Sequence, residues 1–156
     1  MKKVISLFAT MLLIVACDPP QDYHVGEWYA KNYTEQTLTL SFPPDRYWQN
    51  KDVAPGDSVL IQIFYFEYKG KIIPYFDRLP QRMVYYSGEN ISLDLLSEQG
   101  DLLKRWRYLD KDLPGKQFFK ETFWRYYERP GGRFTTAITA IWVFDIMPED
   151  LIKKDD

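Results

Sequence analysis

The chain has 156 residues and a formal charge of −2. That length suffices for one domain with a sizeable core, and so mild a charge argues against nucleic acid or a polybasic membrane patch as a partner. A single cysteine excludes any disulfide within the chain, so stability rests on packing; 12 Tyr, 10 Phe and 5 Trp make an aromatic-rich composition that favours strands.

The N-terminus carries the most specific signal. Lys2-Lys3 is followed by an apolar run over residues 4–13 and then by Ile14-Val15-Ala16-Cys17. The run is shorter than the roughly 20 apolar residues a spanning helix needs, and Asp18-Pro19-Pro20 stops any helix there. Basic start, short greasy stretch, branched Ile14, small Ala16 and then Cys17 form a lipoprotein signal peptide. Cleavage before Cys17 would free its amine, and diacylglycerol on the sulfur plus a third chain on the amine would hold the protein firmly on a membrane. The expected organisation is a signal peptide over 1–16, a lipidated tether over 17–24, a single domain over 25–152 and a charged tail over 153–156. His24, the sole histidine, is then a solvated tether residue.

Strands follow one another after the tether. Residues 25–32 read as the first. Residues 37–42 alternate cleanly, with Leu38, Leu40 and Phe42 on one face and Thr37, Thr39 and Ser41 on the other. Val53-Ala54-Pro55-Gly56-Asp57 is a turn. Residues 58–68 are apolar on both faces, with Val59, Ile61, Ile63 and Tyr65 opposite Leu60, Phe64, Phe66 and Tyr68, a pattern expected of a strand covered on both sides. Residues 71–76 read as extended, with Pro74 marking an edge, and residues 82–86 as a short strand. Residues 91–96 and 102–108 make two strands around the turn at Glu98-Gln99-Gly100-Asp101. A loop over 110–116, one helical turn within 117–122, a hairpin of 123–128 with 133–146, and a helical turn at Pro148-Glu149-Asp150-Leu151 complete the chain. Turns every 8–12 residues or so without a long helical period predict an all-β fold, a single antiparallel β-sandwich of Ig-like or related kind, with a barrel as the alternative.

Few residues mark chemistry. His24 lacks the partners of a zinc site or a catalytic triad. Asp110 and Asp112 flank Lys111 in a turn and supply too few oxygens for calcium. Glu149 and Asp150 suit a helix N-terminus. Arg105, Arg107 and Arg125 interleave with Trp106, Tyr108 and Trp124, which fits cross-strand stacking of arginine on aromatics better than nucleic acid. No nucleophile elbow, phosphate loop or dinucleotide fingerprint occurs, and no metal or cofactor is expected. The best ligand-binding candidates are Tyr47 and Trp48 beside Arg46, in a polar stretch where flat rings could stack on a sugar or grip a peptide, or else cap the core.

The lipobox, the segment Val53-Ala54-Pro55-Gly56-Asp57-Ser58-Val59-Leu60-Ile61 and the ending Trp142-Val143-Phe144-Asp145-Ile146-Met147-Pro148-Glu149-Asp150-Leu151 together resemble the small envelope lipoproteins of Bacteroides-type bacteria. The resemblance implies a Gram-negative cell envelope, with the outer membrane as the address, periplasmic or surface-exposed. Asp18 resembles an inner-membrane retention signal of enteric-type bacteria, whereas acidic residues near the cysteine resemble surface-export signals in Bacteroides-type cells. The function expected is a non-catalytic binding or interaction module for a glycan, a peptide or an envelope protein. A structural accessory docked on an outer-membrane complex is the alternative, and a hydrolase with unrecognised acids the third reading.

Overall fold

The computed structural model describes residues 23–43, 48–67, 73–131 and 136–151. The lipobox, most of the tether, Arg46, Tyr47 and the charged tail lie outside these residues. The described chain forms β1 (Tyr23–Asn32), β2 (Leu38–Ser41), β3 (Lys51–Val53), β4 (Ser58–Glu67), a helix α1 (Arg78–Ser87), β5 (Ser92–Ser97), β6 (Leu102–Arg107), β7 (Trp124–Pro130) and β8 (Ile138–Ile146). Short 3-10 turns occupy Tyr108–Asp110, Glu121–Phe123 and Pro148–Leu151.

Alternation builds both layers. Leu38 and Leu40 of β2, Leu93 and Leu95 of β5, and Trp28 and Ala30 of β1 are all fully buried, while the residues between them are at least partly exposed. The strands form two four-stranded sheets, ordered β4-β1-β8-β7 and β3-β2-β5-β6, whose inner faces share one core. The fold is a β-sandwich, as the strand pattern predicts, and neither sheet closes into a barrel. It is not wholly antiparallel. β1 and β8 run parallel side by side in the middle of the first sheet, from Val25 opposite Thr139 to Asn32 opposite Ile146. They can do so because the chain spends β2 and β3, then β5 and β6, in the other sheet between them.

Aromatic rings fill the core. Trp28 stacks on Trp142 with centroids 4.6 Å apart, and Phe64 meets Trp28 edge-on at 5.3 Å. Phe118, Trp106, Trp124 and Phe144 form a second set around centroid distances of 4.9–6.1 Å. Such geometries add to the burial of the rings themselves. Gly26 faces this core, and a Cβ there would lie 2.7 Å from the Trp28 ring, which explains the residue without any appeal to unusual backbone angles.

Three local expectations are corrected. Residues 82–86 are not a strand; they are the second half of α1. Leu79 and Met83 recur at helical spacing and are fully buried, and Pro80 falls in the first turn, where the backbone N–H it lacks has no helical acceptor anyway. Gly88, at φ 80°, ends the helix and donates its N–H to the Val84 carbonyl at 2.8 Å. Residues 73–75 are not a strand, and β3, unread in the sequence, pairs with β2.

β4 corrects the third. It is an edge strand, not one covered on both sides. A bulge opposite Trp28 and Tyr29 skips Ile61, so that Tyr29 pairs with Leu60 and Trp28 with Gln62. The extra residue switches the alternation. Ile61 therefore joins Phe64 and Phe66 in the core while Leu60 and Tyr65 face solvent.

Candidate functional site

The outer face of the first sheet is built by the same parity that buries its inner face. With Trp28 and Ala30 inward, Glu27, Tyr29 and Lys31 of β1 must point outward; so must Ile141, Val143 and Asp145 of β8, and Arg125, Tyr127 and Arg129 of β7. The register sets these side chains in rows. Glu27, Ile141 and Tyr127 are abreast, and Tyr29, Val143 and Arg125 are abreast in the next row, with Leu60 of β4 beyond Tyr29. All of these but Leu60, together with Lys31, Tyr33, Ser58 and Arg129, line an open groove of about 340 Å³. Ile141 and Val143 form its floor and are buried although no third layer among the described residues covers them, because the long side chains on either flank close over them.

The polar groups of the groove hold one another in place. Arg125 grips Asp145 with two hydrogen bonds, Nε to Oδ2 at 2.6 Å and Nη2 to Oδ1 at 2.7 Å, and its Nη2 also reaches the Tyr33 hydroxyl at 3.4 Å. The Asp145 carboxylate, chiefly through that hydrogen bonding, raises the Arg125 pKa further. The Tyr29 hydroxyl donates to Glu27 Oε2 at 3.0 Å, and Arg129 Nη2 donates to Glu27 Oε1 at 3.4 Å. Burial first, and the hydrogen bond to Glu27 second, push the Tyr29 pKa up. Lys31 Nζ lies 5.1 Å from the centre of the Tyr33 ring. An apolar floor between tyrosine rings, edged by oriented guanidinium and carboxylate groups, suits a flat ligand that carries hydroxyl or amide groups.

The residues singled out in the sequence lie elsewhere. Trp48 is only 6% exposed, belongs to the core and stacks on Phe42 at 5.6 Å. It caps the core, and its ring offers no free face to a sugar. His24 is not a solvated tether residue: it is buried in β1, and its Nδ1 accepts the Ile138 N–H at 3.0 Å, joining the starts of the two parallel strands. Arg105 and Arg125 do not stack across strands on tryptophan. Each forms a two-bonded ion pair, with Asp94 and Asp145 respectively. Cation–ring contacts fall instead to Arg78 and Arg82 over Phe64, and to Lys111 over Tyr108. Asp112 pairs with Lys120 at 3.4 Å, and among the described residues no group of three or more His, Cys, Asp or Glu side chains is placed to hold a metal ion. Asp150 is buried at the closing 3-10 turn, where it accepts the Met147 N–H at 2.9 Å and Lys116 Nζ at 2.6 Å.

Sequence reading passed over the groove. Its signal was present in the alternate positions Glu27-Tyr29-Lys31 of β1, whose other face is greasy, and Arg125-Tyr127-Arg129 of β7. What joins the two sets is the parallel pairing of β1 with β8, which no local pattern reveals. Comparison with protein-family models, with curated proteins and with solved structures finds no match to this chain.

Proposed function

We propose that this protein is a lipid-anchored binding module of the cell envelope, held on the outer membrane by acyl chains at Cys17 and without a catalytic role. The lipobox Ile14-Val15-Ala16-Cys17, with the chain's lone cysteine at its end, carries the reading. The tyrosine-walled groove supports the binding half of it, with a glycan as the ligand its rings and paired charges suit best and an extended peptide or envelope protein as the other occupants.

The test is affinity electrophoresis of the detergent-solubilised protein against a panel of host and microbial polysaccharides. A retarded band is expected, and Tyr127→Ala should weaken binding at least tenfold. The Tyr127 ring is exposed, so the melting temperature of that variant should stay within a few degrees of the parent. Retardation that survives in Tyr127→Ala would move the glycan site off this face. No retardation with any glycan would shift the reading to a protein partner, the role of an accessory docked on an envelope complex.

A further inference from the structure

A second surface lies at the end of the sandwich where the tether enters. Tyr23 opens β1, and its ring meets Tyr65 of β4 edge-on at 6.2 Å. Tyr65 is 66% exposed and Ile73 60% exposed, and Tyr75, also exposed, lies 6.0 Å from Phe66. Phe64 and Phe66 pair with Gly26 and His24 in β1, which places this set beside the first residues of that strand. Arg78 and Arg82 of α1 lie over the Phe64 ring at 5.7 and 5.4 Å. Glu67 and Asp77 are exposed as well, so the described part of the patch mixes exposed rings with charges of both signs.

Resting on the reading that Cys17 is acylated, we propose that this end of the sandwich lies against the lipid headgroups of the membrane that holds the anchor. Only residues 18–22 separate Cys17 from Tyr23. Such a segment spans at most roughly 20 Å when fully extended, so the end that bears the patch is confined close to the bilayer. Tyrosine is the side chain suited to that boundary, with an apolar ring and a wet hydroxyl. Arginine can lay its stem along the rings and keep its head among the phosphates. The opposite end of β1, with Tyr33 and Glu35, points toward the aqueous side, and the groove, which runs along the sheet, stays open to ligands.

The lone cysteine makes the test clean, since an acylated Cys17 leaves no thiol and one introduced cysteine can be labelled alone. Full-length protein bearing Tyr65→Cys, Ile73→Cys or Glu35→Cys is spin-labelled and reconstituted into vesicles of phosphatidylethanolamine and phosphatidylglycerol. Each label is then probed with lipid-dissolved oxygen and with an aqueous nickel chelate. The labels at 65 and 73 are expected to favour oxygen over the chelate at least severalfold, and the label at 35 to do the reverse. Labels at 65 and 73 as open to the chelate as the one at 35, in protein that floats with the vesicles, overturn the docking while leaving the anchor intact. Shielding from both reagents would mean that protein covers the patch, and also overturns it. Parent protein that fails to float, or that itself takes up label at Cys17, overturns the anchor and the docking with it.

Discussion

Asn32 shows how much one buried side chain can organise. It is fully buried at the end of β1, where its amide donates to the carbonyls of Gln36 at 2.8 Å and Val53 at 2.9 Å. Its oxygen accepts the Thr34 N–H at 2.8 Å and the Thr34 hydroxyl at 2.7 Å. The side chain thus ties the end of the first sheet to β3 of the second. Asn32→Ala would leave several of those groups unpaired away from water, and should lower the urea-unfolding free energy by about 2–3 kcal/mol; a loss under about 0.5 kcal/mol would show that water replaces the amide. The tryptophans divide in the same terms. Trp106, Trp124 and Trp142 donate their indole N–H to Lys116 O, Phe118 O and Glu121 Oε1, whereas those of Trp28 and Trp48 find no acceptor among the described residues. Tyr126 supplies a pH dependence. Burial, and then its hydrogen bond to Glu128, raise its pKa from 10.0 to about 12. The folded state therefore keeps a proton that the unfolded chain releases, and this contribution is full below pH 10 and is lost as pH rises through about 12. Absorbance titration at 295 nm should show a late phenol ionisation after that of the bulk of the tyrosines, and Tyr126→Phe should remove its latest step. Ionisation of every phenol in one step near pH 10 would contradict the assignment.

At the level of elements, two features decided where sequence pattern and structure parted. β4 reads as greasy on both faces under strict alternation, but the bulge at Ile61 sorts its residues into one buried set and one exposed set. The two descriptions make opposite forecasts. Strict alternation groups Leu60 with Phe64 and Phe66, whereas the bulge leaves Leu60 37% exposed and Ile61 5% exposed. Ile61→Ser should therefore cost about 3 kcal/mol and Leu60→Ser less than about 0.5 kcal/mol in chemical denaturation, and the reverse order would rule out the bulge. α1 was hidden for a different reason. Val84, Tyr85 and Tyr86 favour strands by propensity, and only the Leu79–Met83 spacing with the terminal Gly88 speaks for a helix. In ten residues, that weaker periodic signal is easily outvoted. β7 carries its own protection. It is the outer strand of its sheet, and Arg125, Glu128, Arg129 and the closing Pro130 are poor templates for pairing with another chain.

For the whole molecule, the proposed anchor, the ring-rich end and the groove fit one proposed arrangement, in which the domain would rest on the bilayer by one end and offer a sheet face along its side. No helix among the described residues is long and apolar enough to cross a membrane. On the proposed reading, stable attachment depends on the lipid at Cys17, and Cys17→Ala should yield a soluble or an uncleaved product on membrane fractionation. A cleaved variant that still pellets with membranes would sink the lipoprotein reading. Much of the architecture was legible in advance. Leu38–Leu40–Phe42 and Leu93–Leu95 displayed their buried faces, the turns around Gly56 and Gly100 lie where Pro, Gly, Asn and Asp cluster, and the sandwich follows from their spacing. The proposed binding face was not legible in advance. The sequence drew attention to Trp48, because aromatics in a polar stretch look exposed, while its ring in fact packs on Phe42.

What the sequence determined by itself is whatever is written in short-range pattern: the all-β class, the inward faces of regular strands and the turns. Alternation and turn chemistry act over two to five residues, so they can be read without knowing the fold. Tertiary structure alone decided the rest. It set β1 parallel to β8 across more than a hundred residues of chain, turned Ile61 inward through a bulge, and folded residues 78–87 into a helix over the core. It also brought Tyr29, Arg125 and Tyr127 onto one face. These outcomes depend on which distant surfaces bury one another, and that choice is made by packing rather than by any local preference of the chain.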